Sequence, residues 1–284
     1  MSAPTRETGS ATTGRGARVE VRGVDQRFPA ASGEVHALAD VSLDIAPGEL
    51  VSLIGPSGCG KSTLLRCVAD LVQPTSGEVL VDGQSARAAR LAHRYGIAFQ
   101  AAGLLEWRTV RRNVELPLQL HGVGKAERRA RAEHLLELVG LADVADARPS
   151  QLSGGMQQRV AIARSLAEDP PLLLMDEPFG ALDEMTRERM QAELLSLRAA
   201  SGTTVVFVTH SIPEAVFLSD RVVVMSPRPG RVVDVVPVTG EGGLERTGDV
   251  REAPAFFDRI TAVREALRGG SDDTGGGRGG VEDR

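Results

Sequence analysis

The sequence predicts an α/β fold, a parallel sheet covered by helices on both faces, and three observations carry that expectation. Leu50-Val51-Ser52-Leu53-Ile54 is a compact apolar run that ends at Gly55, and helical sequence resumes at Gly60-Lys61. A second apolar run, Pro171 to Met175, ends in the paired carboxylates Asp176 and Glu177. From Leu172 onward strand-like and helical segments alternate, the pattern of a parallel sheet with helices on its faces.

Each element follows in order. Residues 1–18 are polar and rich in Thr, Gly and Arg, without the apolar core of a secretory leader, and read as a disordered tail. Val19-Glu20-Val21 and Val41-Ser42-Leu43-Asp44-Ile45 are strand-like, the latter alternating apolar and polar. The helix opening at Gly60-Lys61 should bury Leu64, Leu65, Val68 and Leu71. Residues from about 101 to 168 form a mainly helical, Arg- and Glu-rich insert punctuated by Gly140, Gly154 and Gly155. Strand and helix then alternate through Leu172–Met175, Asp183–Ala200, Val205–Val208, Ile212–Phe217 and Val222–Met225. Residues 19–240 are thus one folded body and 241–268 an extension. In that extension Phe256, Phe257, Ile260, Val263 and Leu267 give an amphipathic helix, docked on its own core or offered to a regulator or second copy. Residues 269–284 are Gly-rich, lack side chains to bury, and read as a disordered tail.

Composition narrows the function. Of 284 residues 42% are hydrophobic and 25% charged, ordinary for a globular chain. The net charge is −5 and aromatics are 3%, which disfavours a nucleic-acid face built on cations and base stacking. The two cysteines, Cys59 and Cys67, sit in a loop and the following helix and suit a reducing compartment better than a disulfide framework. No run of about 18 apolar residues occurs, so any membrane part must come from another subunit.

Gly55-Pro56-Ser57-Gly58-Cys59-Gly60-Lys61-Ser62 satisfies G-x-x-x-x-G-K-[ST] in full, with Thr63 next in the helix. The glycines let backbone N–H groups turn inward around phosphate oxygens, and the helix N-terminus adds a positive field. Lys61 can reach the β and γ phosphates, and Ser62 can place its hydroxyl on Mg²⁺. Asp176 at a strand end suits the same ion, and Glu177 suits the base that takes a proton from water. His210 follows the apolar strand Val205–Thr209, so a strand beside that of Asp176 would deliver it to the γ phosphate. Gln100 follows Gly96-Ile97-Ala98-Phe99 and is unremarkable alone. Phe28, ahead of the loop, either stacks on adenine or packs in the core.

Leu152-Ser153-Gly154-Gly155-Met156-Gln157-Gln158-Arg159 resembles the signature sequence of ATP-binding cassette (ABC) proteins. Ala181-Leu182-Asp183 resembles the D-loop, Val208-Thr209-His210 the switch and Phe99-Gln100 the Q-loop, all in the expected order. The resemblance implies a P-loop NTPase with a RecA-like core, an antiparallel β subdomain and a helical ABC-specific subdomain. It also implies two copies head to tail, with Ser153, Gly154, Gly155 and Asp183 of one completing the ATP site of the other, and Gln100 joining Ser62 and Asp176 at Mg²⁺. Met156 stands where glutamine is usual, and no catalytic position is missing.

Gly103-Leu104-Leu105-Glu106-Trp107-Arg108-Thr109-Val110, with Asn113-Val114, resembles the importer branch for nitrate, sulfonate, taurine and thiamine-precursor pyrimidines, with Glu106 where proline is usual. Ile212-Pro213-Glu214-Ala215 and Met225-Ser226-Pro227-Arg228-Pro229-Gly230-Arg231 look like the same branch. Trp107 is either a packing residue or a partner anchor. The implied assembly places the chain peripherally on the cytoplasmic face of the plasma membrane. Permease subunits would touch residues Ala101 to Asn113, and a periplasmic or lipoprotein solute-binding protein would act through the permease. An exporter subunit, or a soluble ATPase acting on nucleic acid or ribosomes, is the alternative class.

Overall fold

The computed structural model describes residues 15–31, 33–240, 244 and 250–272. The tails expected over residues 1–14 and 273–284 lie outside the described residues. Strands β1 (Val19–Ala30) and β2 (Gly33–Ile45) form a long antiparallel pair, then β3 (Leu50–Ile54) leads into helix α1 (Lys61–Val68). Strands β4 (Ser76–Val81) and β5 (Gln84–Ser85), helix α2 (Ala86–Leu91) and strand β6 (Tyr95–Ala98) follow. The insert supplies α3 (Val110–Val114), α4 (Leu116–Leu120), α5 (Lys125–Leu138) and α6 (Gly154–Ser165). The chain then alternates through β7 (Leu172–Asp176), α7 (Glu184–Ser201), β8 (Thr204–Val208), α8 (Ile212–Leu218), β9 (Arg221–Met225) and β10 (Val232–Pro237), and α9 (Pro254–Asp272) comes last.

Two sheets result. One is antiparallel, in the order β2-β1-β4-β5. The other runs β10-β9-β3-β8-β7-β6, with β9, β3, β8, β7 and β6 parallel and β10 antiparallel at the edge. Strands β3, β7 and β8 are buried at every position, as expected for a sheet covered on both faces. Register then fixes the site: Leu53 and Asp176 both stand opposite Val208, and Ala98 stands opposite Met175, so four carboxyl ends lie along one edge. That edge is where open parallel sheets bind ligands.

The helical insert packs through Val110, Val114, Leu118, Leu135, Leu136 and Val160 into the apolar cluster that also holds Leu173 and Phe207 of the sheet. Gln158 of α6, 2% exposed, donates to the Phe99 carbonyl at 2.9 Å and so ties the insert to the end of β6.

Four details depart from the sequence reading. Residues 15–18, counted there with the tail, are part of the fold: Ala17 is fully buried, its N–H donates to Pro171 O and its carbonyl accepts from Thr204, and Arg15 pairs with Asp169. Leu71 is 48% exposed because α1 ends at Val68 and Asp70 turns at φ 51°. At the C-terminus α9 continues through residues 269–272. Phe257 is exposed, since its neighbour Phe256 takes the inward position with Ile260 and Val263 against β9, β10 and α8. Among the described residues no helix is long and apolar enough to cross a membrane.

Candidate functional site

The loop after β3 turns through Gly58 and Gly60 at φ 74° and 101°, and α1 begins at Lys61. Gly60 has no alternative: a Cβ there would lie 2.9 Å from Ala37 O and 2.6 Å from a Leu38 methyl, on a positive φ that side chains avoid. Lys61, 7% exposed, curls over the loop and donates to Gly55 O at 2.8 Å and Pro56 O at 3.0 Å. Its charge is thereby held at the N-terminus of α1, where the helix dipole already favours an anion.

Ser62, the next residue, donates to Asp176 Oδ1 at 2.7 Å across the β3–β7 gap. Burial pushes the Asp176 carboxyl up, and the Ser62 hydrogen bond pulls it back down. A hydroxyl and a carboxylate oxygen at a strand end are the hard donors that Mg²⁺ takes, so these two residues fit that ion. Glu177 follows at φ 47°, a left-handed backbone unusual for a non-glycine residue, and its N–H donates to Val208 O at 2.9 Å. Strain of this kind collects at functional sites. The carboxylate it aims, Oε2, accepts from Gln100 Nε2 at 3.3 Å and lies 3.3 Å from His210 Nδ1. The three residues come from the ends of β6, β7 and β8, as the register requires.

One open cleft of about 600 Å³ is lined by residues Ser57 to Thr63, Gln100, Glu177 and His210, with the buried Asp176 reaching it through Ser62. Phe28 and Val35, paired across β1 and β2, form its far wall with Ala37. Phe28 is half-buried and lines the cleft.

Ser153, Gly154, Gly155 and Asp183 lie outside that cleft. Ser153 caps α6 by accepting from Met156 N at 3.3 Å, and Asp183 caps α7 by accepting from Thr186 N at 3.0 Å. The Thr186 hydrogen bond holds the Asp183 carboxyl below the usual range. Gly155 sits tight on the turn ahead of α7, since a Cβ on it would be 3.0 Å from Ala181 O. Met156 is half-buried and packs against the apolar cluster shared by the helical insert and the sheet.

The 101–113 segment is stapled by Asn113, fully buried, which donates to Leu105, Arg108 and Thr109 carbonyls and accepts from Leu105 N at 2.7 Å. Trp107 on that segment is 73% exposed and lies outside the core of this chain.

Sequence reasoning missed two features. Arg228 lines the cleft from the turn after β9, and its Nε donates to Gly58 O at 3.2 Å. Behind His210, the buried Glu214 accepts from Thr209 Oγ1 and, at 3.0 Å, from Gln191 Nε2; Gln191 in turn accepts from Arg251 at 2.6 Å. Burial pushes the Glu214 carboxyl up. Both Arg228 and Glu214 lie in stretches whose sequence resembles only branch markers.

The ABC transporter family matches residues 38–180, from β2 to just beyond Glu177. The taurine import ATP-binding protein TauB of Roseobacter denitrificans is 42% identical over 90% of this chain and 98% of its own length. The chain belongs to the ABC transporter family. Within the ABC family, the nitrate import ATP-binding protein NrtD of Synechocystis sp. is 43% identical over 88% of this chain and 95% of its own. A solved ABC cassette, MJ0796, described as a dimer in a post-hydrolysis state bound to ADP and Pi, superposes with a TM-score of 0.73 at 38% identity. It covers 78% of this chain and 100% of its own. The fold is therefore that of an ABC ATPase: a P-loop NTPase core with an antiparallel sheet and a helical insert. The family match contains the phosphate loop, Ser153, Asp176 and Glu177, and leaves Phe28, Asp183 and His210 outside its bounds.

Proposed function

We propose that this chain is the ATP-hydrolysing subunit of an importer for a small solute of the taurine, sulfonate, nitrate or pyrimidine-precursor type, working as a head-to-tail pair beneath separate permease subunits. The observation that carries the reading is the division of the site. Lys61, Ser62, Asp176, Glu177, Gln100 and His210 converge at the strand ends of one chain, while Ser153 stands outside their cleft.

In this reading ATP lies along the cleft with adenine against Phe28 and its phosphates on the amides from Gly55 through Thr63, under the charge of Lys61. Mg²⁺, held by Ser62, Asp176 and the Gln100 side chain, would offset charge on the phosphate oxygens. Glu177 receives the proton of a water aligned with the γ phosphorus; a P–O bond to that water forms as the bond to the β-phosphate oxygen breaks, leaving ADP and phosphate. His210, beside the same carboxylate, orients it and the γ phosphate. Ser153, Gly154 and Gly155 present the N-terminus of α6, and with Asp183 they close the site of the second copy.

Residues Ala101 to Asn113 meet the permease, with the exposed Trp107 ring as an anchor. The permease in turn engages a periplasmic or lipoprotein solute-binding protein, and the chain rests on the cytoplasmic face of the plasma membrane. Reconstitution with its membrane partner tests the whole reading. Taurine, an alkanesulfonate, nitrate or a pyrimidine precursor, delivered by a binding protein, should stimulate ATP hydrolysis several-fold. Failure to associate with any membrane subunit, or turnover indifferent to all four solutes, would overturn it.

A further inference from the structure

The turn between β9 and β10 carries Arg228, and it is wedged between the two walls of the nucleotide cleft. Gly230 donates to Ala37 O at 2.9 Å and accepts from Ala39 N at 3.0 Å, which binds the turn to β2. On the other side, a Cβ on Gly230 would stand 1.9 Å from Cys59 O, so the turn touches the phosphate loop and only glycine permits that approach. Ser226 closes the turn, its N–H donating to Arg231 O at 2.9 Å and its hydroxyl accepting from Arg231 N at 3.0 Å. The base of Arg228 is thus fixed to both walls.

Its guanidinium reaches over the loop. Nε donates to Gly58 O at 3.2 Å, and the terminal nitrogen Nη2 lies 3.0 Å from where a Cβ on Gly58 would be. The side chain is exposed, lines the cleft beside Lys61, and makes no ion pair among the described residues. Arginines on neighbouring elements are arranged otherwise: Arg198 pairs with Asp220, and Arg221 with Glu49. Among the described residues the lining of the cleft therefore holds two cations, Lys61 and Arg228, and one carboxylate, Glu177, with Asp176 buried behind Ser62. Two like charges over one anion-binding loop repel until a polyanion arrives, and the planar fork of arginine suits phosphate oxygens.

We propose that Arg228 is a direct ligand of the nucleotide's polyphosphate, a binding residue delivered by the β9–β10 turn. This rests on the reading that ATP occupies the Lys61 cleft, and the test separates the two. The full-length chain is titrated calorimetrically with ATP, ADP and AMP in EDTA, as wild type, Arg228→Gln, Arg228→Lys and Lys61→Ala. Losing one charge-assisted contact should weaken ATP about tenfold in Arg228→Gln, ADP by less, and AMP by under about twofold, with Arg228→Lys recovering part of the loss. A brace that only shapes the loop would weaken all three nucleotides alike, and that result overturns the proposal. So does an unchanged ATP affinity in Arg228→Gln while Lys61→Ala loses it. Unchanged ATP affinity in Lys61→Ala would instead overturn the cleft reading, and this inference with it. A thermal melt of Arg228→Gln matching wild type shows that the fold is intact.

Discussion

The cleft around Lys61 and the face around Ser153 are built on opposite plans. In the cleft, side chains from four strands point at one another and at a common space, and Glu177 is held between Gln100 and His210. At the signature face Ser153 caps α6 and Asp183 caps α7, while a Cβ on Gly154 would meet nothing within 4 Å. One region is a site with its chemistry preassembled; the other is a rigid, bare helix end. A helix end of this kind gains a function only when something brings an anion to it. On the proposed head-to-tail reading, the catalytic unit is split between these two regions so that neither half acts without the other.

The largest effect that would sharpen this contrast is at Glu177. Glu177→Gln keeps the size and the hydrogen bond from Gln100 but removes the proton acceptor, so turnover should fall by about 100-fold or more while ATP affinity stays near wild type. Steady-state hydrolysis and equilibrium binding check this, and turnover within a few-fold of wild type would remove Glu177 from the role of base.

A mixing experiment comes next, because it can break the split-site idea outright. Ser153→Arg alone should lower turnover by about 100-fold through the blocked helix end, with ATP binding to the single chain unaffected. Mixed with Glu177→Gln chains, it should regain activity. In a mixed head-to-tail pair both lesions fall in one site and the other site is whole, so up to about a quarter of wild-type turnover is expected when half the dimers are mixed. No recovery would mean that Ser153 acts on the ATP of its own chain.

The parts of this architecture that could be read ahead were those with a local signal. The phosphate loop and the Asp176-Glu177 pair each end an apolar run, and the composition of Leu50–Ile54 and Leu172–Asp176 marks buried parallel strands without any partner in view. Ser153 is equally legible as a cap, three residues before the N–H it accepts from. What could not be read depends on chain segments far apart in sequence. Ala17 is buried because Pro171 and Thr204 hold its backbone, and nothing in a Gly- and Arg-rich stretch announces that. Arg228 enters the cleft only because β2 and the loop grip Gly230 from two sides. Leu71 fits the helical period but falls beyond the end of α1, where Asp70 leaves the helical backbone.

The smallest expected effect lies behind the switch histidine and asks whether the cleft, unlike the signature face, is supported from outside the core. Glu214 is 8% exposed and takes hydrogen bonds from Thr209 and Gln191, and Gln191 is bonded in turn to Arg251 ahead of α9. Burial raises its carboxyl, outweighing those bonds and the nearby charges of Arg187 and His210. The folded chain therefore keeps this proton over a range in which the unfolded chain has already released it. In that window, which opens near the ordinary glutamate value of 4.5, the native state binds more protons, so the stability Glu214 contributes falls as pH rises. Glu214→Gln cannot ionise and escapes that loss, so its melting temperature should gain on wild type as pH climbs from about 4.5 towards neutrality. A pH-independent difference would mean that Glu214 titrates normally. With one acceptor turned into a donor against Thr209 or Gln191, the His210 backbone should also shift, lowering kcat by about two- to fivefold with ATP affinity unchanged. Wild-type kcat would show that the Glu214 network braces α8 without reaching the histidine.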